Sequence, residues 1–257
     1  MRQVSPIPRL CATTAFVLGL LFAGVLGGCA GSPKPAEPGT APGANSENDP
    51  FEKTNRKIFA FNQSLDKHIM RPVAIFYRDT LPDPMRDGVH SFLANLDMPI
   101  TIANDILQGR PRHFIQAVGR LGVNSTLGIG GLVDVATKFG IPDEIADFGQ
   151  TLGIYGVKEG PYLVLPFVGP KPPRDLAGGV VDIFFDPFTY VSMREKSWWA
   201  AGRTTLGLLD DRSRELDTVD KLQATSIDFY ASVRNLYRQD RDAKINGKGS
   251  LENLPDF

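Results

Sequence analysis

The stretch "NDPFEKTNRKIFAFNQSLDKHIMRPV", residues 48–73, decides the fold class. It starts as a helix starts. Asp49 is placed to cap, Pro50 stands where a first-turn proline forfeits no hydrogen bond, and Glu52 follows three residues after the cap. At 100° per residue, Phe51, Ile58, Leu65 and Ile69 fall on one stripe, flanked by Phe59 and Phe61. Asn55 and Asn62 fall near the middle of that stripe. A buried amide needs partners, so two uses are open to them: lining a polar path, or bracing a neighbouring helix by hydrogen-bonding its backbone.

Helical signals continue on the C-terminal side. "DPMRDGVHSFLANL" repeats the Asp-Pro start and sets Met85, Val89, Phe92 and Leu96 on one face. A separate helix is expected over "MPITIANDILQG", stopping at Gly109, and another over "RPRHFIQAVGRLGV", with Phe114, Ala117, Val118 and Leu121 together. "LVDVATKFGIP" predicts a helix ending at Gly140 before Pro142. "YLVLPFVG" is apolar and extended, and Pro166 confines it to an edge strand or loop. From about 218 to 241, Val219, Leu222, Ser226, Tyr230, Val233 and Tyr237 form one amphipathic stripe. The expectation is an all-α, mostly helical single domain over residues 49–245, with a loose tail at 246–257.

The N-terminal end is of another kind. Residues 1–28 hold Arg2 and Arg9 and then the apolar run "AFVLGLLFAGVLGG", a charged segment followed by a hydrophobic core, as in a signal peptide. The run ends at Cys29 in "LGGC", which resembles a bacterial lipobox, whose cysteine is acylated and becomes the new N-terminus. Ala30 in the following position implies release to the outer membrane. Residues 29–48 then form a lipidated cysteine and a tether rich in Pro, Gly and Ala, with no branched apolar or aromatic residue. As a flexible coil the tether averages roughly 25 Å end to end. The remaining cysteine, Cys11, lies in the removed segment, so the body has no thiol, disulfide or cysteine metal site.

Charge and motifs exclude several classes. Removing Arg2 and Arg9 leaves 26 basic against 29 acidic residues, a slightly acidic body that suits neither nucleic acid nor a polybasic membrane patch. The chain has no G-x-S-x-G, H-E-x-x-H or P-loop, and "GIGGLVD" lacks the strand and third glycine of a phosphate cradle. His68, His90 and His113 lie in three separate predicted helices with no recurring carboxylate spacing. No catalytic residue, cofactor site or metal site is expected.

Apolar surface is the stronger signal. After Arg174, Asp182 and Asp186 share one side of a helix, while Leu176, Val180, Ile183 and Phe184 face away. Val181 and Phe185 widen that apolar arc to about 200°, where one core contact needs little over 100°. Phe188, Tyr190, Trp198 and Trp199 follow, with Arg194 and Lys196 between. Such residues suit a membrane interface (Phe184, Phe185, Phe188, Tyr190, Trp198, Trp199), and a central helix buried on most sides is the other reading. The glycines of "GQTLGIYGVKEG" suit close backbone approach or a turn equally.

"DPFEKTNRKIFAFN", "RPVAIFYRD", "FLANLDMPITIANDILQG", "VNSTLGIGGLVDVA" and "DFGQTLGIYGVKEGPYLVLPFVGP", followed by "RD", stand in this order behind the lipobox. Together they resemble the VacJ/MlaA family of outer-membrane lipoproteins, from about Asp49 to Tyr190. "KPPRD" departs from the serine-containing stretch the family tends to have there. The resemblance implies a ring of amphipathic helices in the periplasmic leaflet of the outer membrane, beside trimeric porins. It also implies removal of phospholipids misplaced in the outer leaflet and their transfer, through a periplasmic carrier, to an inner-membrane ABC transporter. A passage for headgroups must be polar, because a phosphate crosses hydrocarbon only when solvated. Two rivals are a structural lipoprotein that tethers porins or envelope and, further off, a phospholipase-like enzyme.

Overall fold

Residues 52–80 run as one helical rod with a widened turn inside it. Helix α1 (Glu52–Leu65) passes into a π-helical turn, Asp66–Met70, and on into α2 (Arg71–Thr80). Pro72 accounts for the insert. It has no N–H to donate, and its ring would crowd the carbonyl four residues back. The wider turn makes room, and the Arg71 amide donates to the Asp66 carbonyl five residues before it. The computed structural model describes residues 48–191 and 196–247. The signal segment, Cys29, nearly all of the tether, Arg194 and the tail beyond 247 lie outside the described residues.

Asp49 does not cap α1. Phe51 holds the cap position without a side-chain bond, and Asp49 is buried. Its carboxylate is taken by Asn55 Nδ2 (2.8 Å), Tyr230 Oη (2.5 Å) and Arg234 Nη1 (2.9 Å).

The two helices expected around Pro99 are a single one, α3 (Asp83–Leu107). An interior proline costs about 3 kcal/mol. Packing along its length against α4 (Pro111–Thr126) and the later helices Pro173–Phe185 and Lys196–Arg214 offsets that. "LVDVATKFGIP" forms only one turn, α5 (Val135–Lys138), because Asp134 caps it by accepting from Thr137 N at 3.0 Å. Helix α6 (Phe148–Ile154) follows, then a hairpin of β1 (Val164–Leu165) and β2 (Gly169–Pro170). Its strands are antiparallel, Val164 opposite Pro170, with Pro166, Phe167 and Val168 at the tip. Then come α7 (Pro173–Phe185), a 3₁₀ turn (Pro187–Thr189), α8 (Lys196–Arg214), α9 (Leu216–Thr225) and α10 (Phe229–Ile245). The stripe drawn from 218 to 241 is broken. Ser226 is extended, and Asp228 starts α10 by accepting from Ala231 N. Among the described residues the fold is all-α apart from the short hairpin.

The distribution of polarity is inverted. Among the described residues, sixteen buried side chains are polar or charged and ten are hydrophobic, four of those ten being alanines. Large apolar side chains line the outside. On α4, for example, Arg120 and Asn124 are buried while Ile115 and Val118 are exposed, so the face drawn through Phe114, Ala117, Val118 and Leu121 is buried only at Ala117. The ends of the α1 stripe, Phe51 and Ile69, are exposed as well. Helix α7 turns Arg174, Asp175 and Gly178 inward and Leu176, Val180, Ile183 and Phe184 outward, so it is not a helix buried on most sides. A small core of Tyr162, Val164 and Tyr230 packs with Ile58, Phe59 and Tyr237.

Charge networks do the work that aliphatic packing does elsewhere. Arg241 donates to Asp147 (2.5 and 3.0 Å) and to Asp175 (2.9 Å), and Asp175 also accepts from Tyr237 Oη (2.6 Å) and Arg174 Nε (2.8 Å). These bonds draw α6, α7 and α10 together. Arg120 binds Asp134, Thr137 Oγ1 and the Ile141 carbonyl, fastening residues 134–141 to α4.

One buried acid is held at a loss. Asp105 on α3 is 3% exposed. Burial pushes its pKa up to about 6, against the opposing pull of His113 and Arg110. Unfolded, it titrates near 3.9. Between about pH 4 and 6 the folded chain therefore holds a proton that the unfolded chain releases, and stability falls as pH rises through that window. Asp105→Asn is expected to stabilise the protein by about 2 kcal/mol at pH 8 and by almost nothing at pH 4. Thermal unfolding in detergent at the two pH values checks this. An equal shift at both would show that ionisation is not the cause.

Candidate functional site

Three segments meet around an open cleft of about 860 Å³. One wall is the end of α1, the π turn and the start of α2. The second is the hairpin tip. The third is the end of α8 with α9 and the start of α10. Apolar side chains (Phe59, Leu65, Phe167, Val168, Phe229) share the lining with Asn62, Gln63, Lys67, Arg71, Arg212 and Asp220. Such a cleft suits a molecule with a charged end and a greasy end.

The two asparagines place its hairpin wall. Asn55, 1% exposed, donates to the Tyr162 carbonyl (2.8 Å) and accepts from Val164 N (3.1 Å). Asn62, two turns on, donates to the Leu165 carbonyl (2.9 Å) and accepts from Phe167 N (2.9 Å). Each amide supplies one donor and one acceptor, as a neighbouring strand would, Asn55 along the edge of β1 and Asn62 where β1 enters the hairpin tip. Their partner is thus a strand rather than another helix. Only Asn62 also reaches the cleft. Asn55→Leu is expected to cost about 2–4 kcal/mol by stranding two buried backbone groups, and Asn62→Leu less, since its partner at Phe167 is exposed. Melting both variants beside a lipid-movement assay separates the uses. Unchanged movement with lowered stability leaves only a brace.

The six residues expected at an interface divide. Phe184, Tyr190, Trp198 and Trp199 are exposed, Trp198 at 78%. Phe185 instead packs on Phe148 (ring centres 6.1 Å), and Phe188 lies 6.0 Å from Trp199 with the Arg203 guanidinium 5.4 Å over its ring. Arg203 is held there by Asp186 (2.8 Å) and Asp97. Two of the three histidines do find carboxylates, far away in sequence: His90 pairs with Asp210 (2.9 Å) and His113 with Glu144, whereas His68 bonds the Ser64 carbonyl one turn back (2.7 Å). Asp210 also accepts from Tyr77 Oη (3.1 Å) and Arg214 Nε (3.0 Å), so its carboxylate is a satisfied brace, with Asp211 beside it. No spacing in the sequence could have shown it.

A family model, the MlaA lipoprotein, matches residues 47–244. The chain belongs to the MlaA lipoprotein family. It is 38% identical over 204 residues to the intermembrane phospholipid transport system lipoprotein MlaA of Escherichia coli K12, covering 77% of this chain and 79% of that one. The Haemophilus influenzae protein of the same name is 31% identical over 255 residues, 95% and 96% of the two chains. A chain solved in work on the structural basis for maintenance of bacterial outer membrane lipid asymmetry superposes with a TM-score of 0.70 at 36% identity. It is covered in full, over 78% of this chain. The MlaA assignment extends past Tyr190, where the sequence resemblance stops, and takes in α9 and nearly all of α10.

Proposed function

We propose that this lipoprotein takes phospholipids misplaced in the outer leaflet of the outer membrane and passes them, without covalent chemistry, to a periplasmic carrier. The carrier would feed an inner-membrane ABC transporter, and trimeric porins would flank the protein. Acyl chains on Cys29 anchor it, residues 30–48 give it reach, and the helical body lies in the periplasmic leaflet. The observation that carries this reading is the inverted polarity. In water a body with apolar groups outside and charges inside is unfavourable, whereas in lipid both surfaces match their surroundings. Among the described residues no helix is long and apolar enough to cross a membrane, which agrees with a body held in one leaflet. Phe184, Tyr190, Trp198 and Trp199 would meet the headgroup layer. The cleft beneath the hairpin would carry the headgroup while the tails stay in apolar contact.

Deleting the protein is the deciding experiment. Leaflet-specific labelling should then find phospholipid accumulating in the outer leaflet, with a leaking barrier. Unchanged outer-leaflet phospholipid would favour a structural tether instead.

A further inference from the structure

The charges around the cleft come as matched pairs. Arg212 donates Nε and Nη2 to the two oxygens of Asp66 (2.7 and 2.8 Å), joining α8 to the π turn. Arg71 donates to Asp220 (2.7 Å), joining α2 to α9. All four line the cleft, with Lys67 and Glu215, so three basic and three acidic groups face it and its formal charge is zero. These pairs are not saturated. Arg212 Nη1 is buried and has no hydrogen-bond acceptor, and all four side chains of the pairs keep some exposure to the opening.

We infer that the cleft selects a zwitterionic headgroup, a phosphodiester carrying an ammonium, by exchange of ion pairs. This rests on the lipid-handling reading above. The phosphodiester takes the place of a carboxylate on Arg212 or Arg71, and the ammonium takes up the carboxylate so released. The two charges of the opened pair, matched to each other before, are each matched to a charge of the headgroup after. A purely anionic headgroup completes only half of the exchange, because it leaves Asp66 or Asp220 facing the cleft without a cation. A charge stranded in a partly closed site is the expensive outcome. Guanidinium is also the group best suited to hold a phosphodiester through two parallel bonds. Phe167, Val168 and Phe59 stand beside the pairs and would receive the first methylenes of the tails.

The test uses the full-length lipoprotein in detergent with two short-chain probes, dihexanoyl-phosphatidylethanolamine and dihexanoyl-phosphatidylglycerol. Wild type should bind the first about tenfold more tightly, a difference of about 1.4 kcal/mol. Asp66→Asn with Asp220→Asn should erase the preference by raising affinity for the anionic probe. Arg71→Gln with Arg212→Gln should lose both. Asp217→Asn, which breaks an exposed pair with Arg78 outside the cleft, should change neither. Equal binding of the two probes by wild type would overturn the inference while leaving lipid handling intact. So would a preference that survives in the double Asn variant. Absence of any lipid binding would sink both. If inorganic phosphate alone displaces the probes at comparable concentration, the cleft is a phosphate site and the headgroup assignment falls. Should the Asn variant not fold, the wild-type preference still decides.

Discussion

Asp49→Ala is expected to destabilise the protein by about 3–5 kcal/mol, because it abandons a buried cation. Arg234 is 2% exposed, and its Nη1 bond to Asp49 is the ion pair that compensates it. The same change deprives Tyr230 Oη of its acceptor and Asn55 Nδ2 of one of its two, the Tyr162 carbonyl remaining. Asp49 lies at the start of the described fold and Arg234 on its last helix, so the pair ties the two ends of the domain together. At about 2–4 °C per kcal/mol for a domain of this size, the melting temperature should fall by roughly 6–20 °C. Adding Arg234→Met should recover much of the loss, since a removed charge strands less than an abandoned one. A fall below about 3 °C for Asp49→Ala would mean the interior is wet enough to solvate Arg234.

The second large effect is expected at Gly178. A Cβ placed there would lie 2.3 Å from Gly149 N and 2.6 Å from its Cα. Both are backbone atoms of α6 and cannot rotate away. Gly178→Ala must therefore drive α6 and α7 apart. Separation stretches the bonds Asp182 accepts from Phe148 N (3.1 and 3.2 Å) and those that bind Arg241 to Asp147 and Asp175. The expected cost is about 3 kcal/mol, the upper end for overpacking. Gly179→Ala, one residue on and facing open space, is the control and should be neutral or slightly stabilising through helix propensity. Similar losses at the two positions would show that backbone freedom, not proximity, is what Gly178 supplies.

Much of the helical layout was legible because end signals are local. Pro at a first turn, Gly109 at a stop and Pro166 in a short extended run each act within a few residues. The misjudged helix faces share one physical cause. Periodicity reports which face of a helix is apolar, and for a body of this kind that face is the outer one. The stripes through Val118 and Ile183 face outward, whereas the α1 stripe does so only at its ends, Phe51 and Ile69, with Asn55 buried and Ile58 packed on the core between them. Pro99 looked like a boundary because packing against α4, α7 and α8 is invisible in one segment. Asp49 looked like a cap because its partners, Tyr230 and Arg234, lie more than 180 residues on. For the cleft, the asparagines were a usable sign: amides on an otherwise apolar stripe announce a partner. The arginine pairs gave none, since Asp66 and Arg212 are 146 residues apart and charged residues are common on any helix.

The polar interior has a thermal consequence. Unfolding an ordinary domain hydrates mostly hydrocarbon, and the heat capacity rises by about 12–15 cal/mol/K per residue. Here the groups newly wetted would include many carboxylates, guanidiniums and amides such as Asp49, Arg120, Asn124 and Arg241, and polar hydration lowers heat capacity. A calorimeter should therefore find a small increment and a stability curve with little curvature, so that chilling weakens this protein less than it weakens a water-soluble helical domain of equal length.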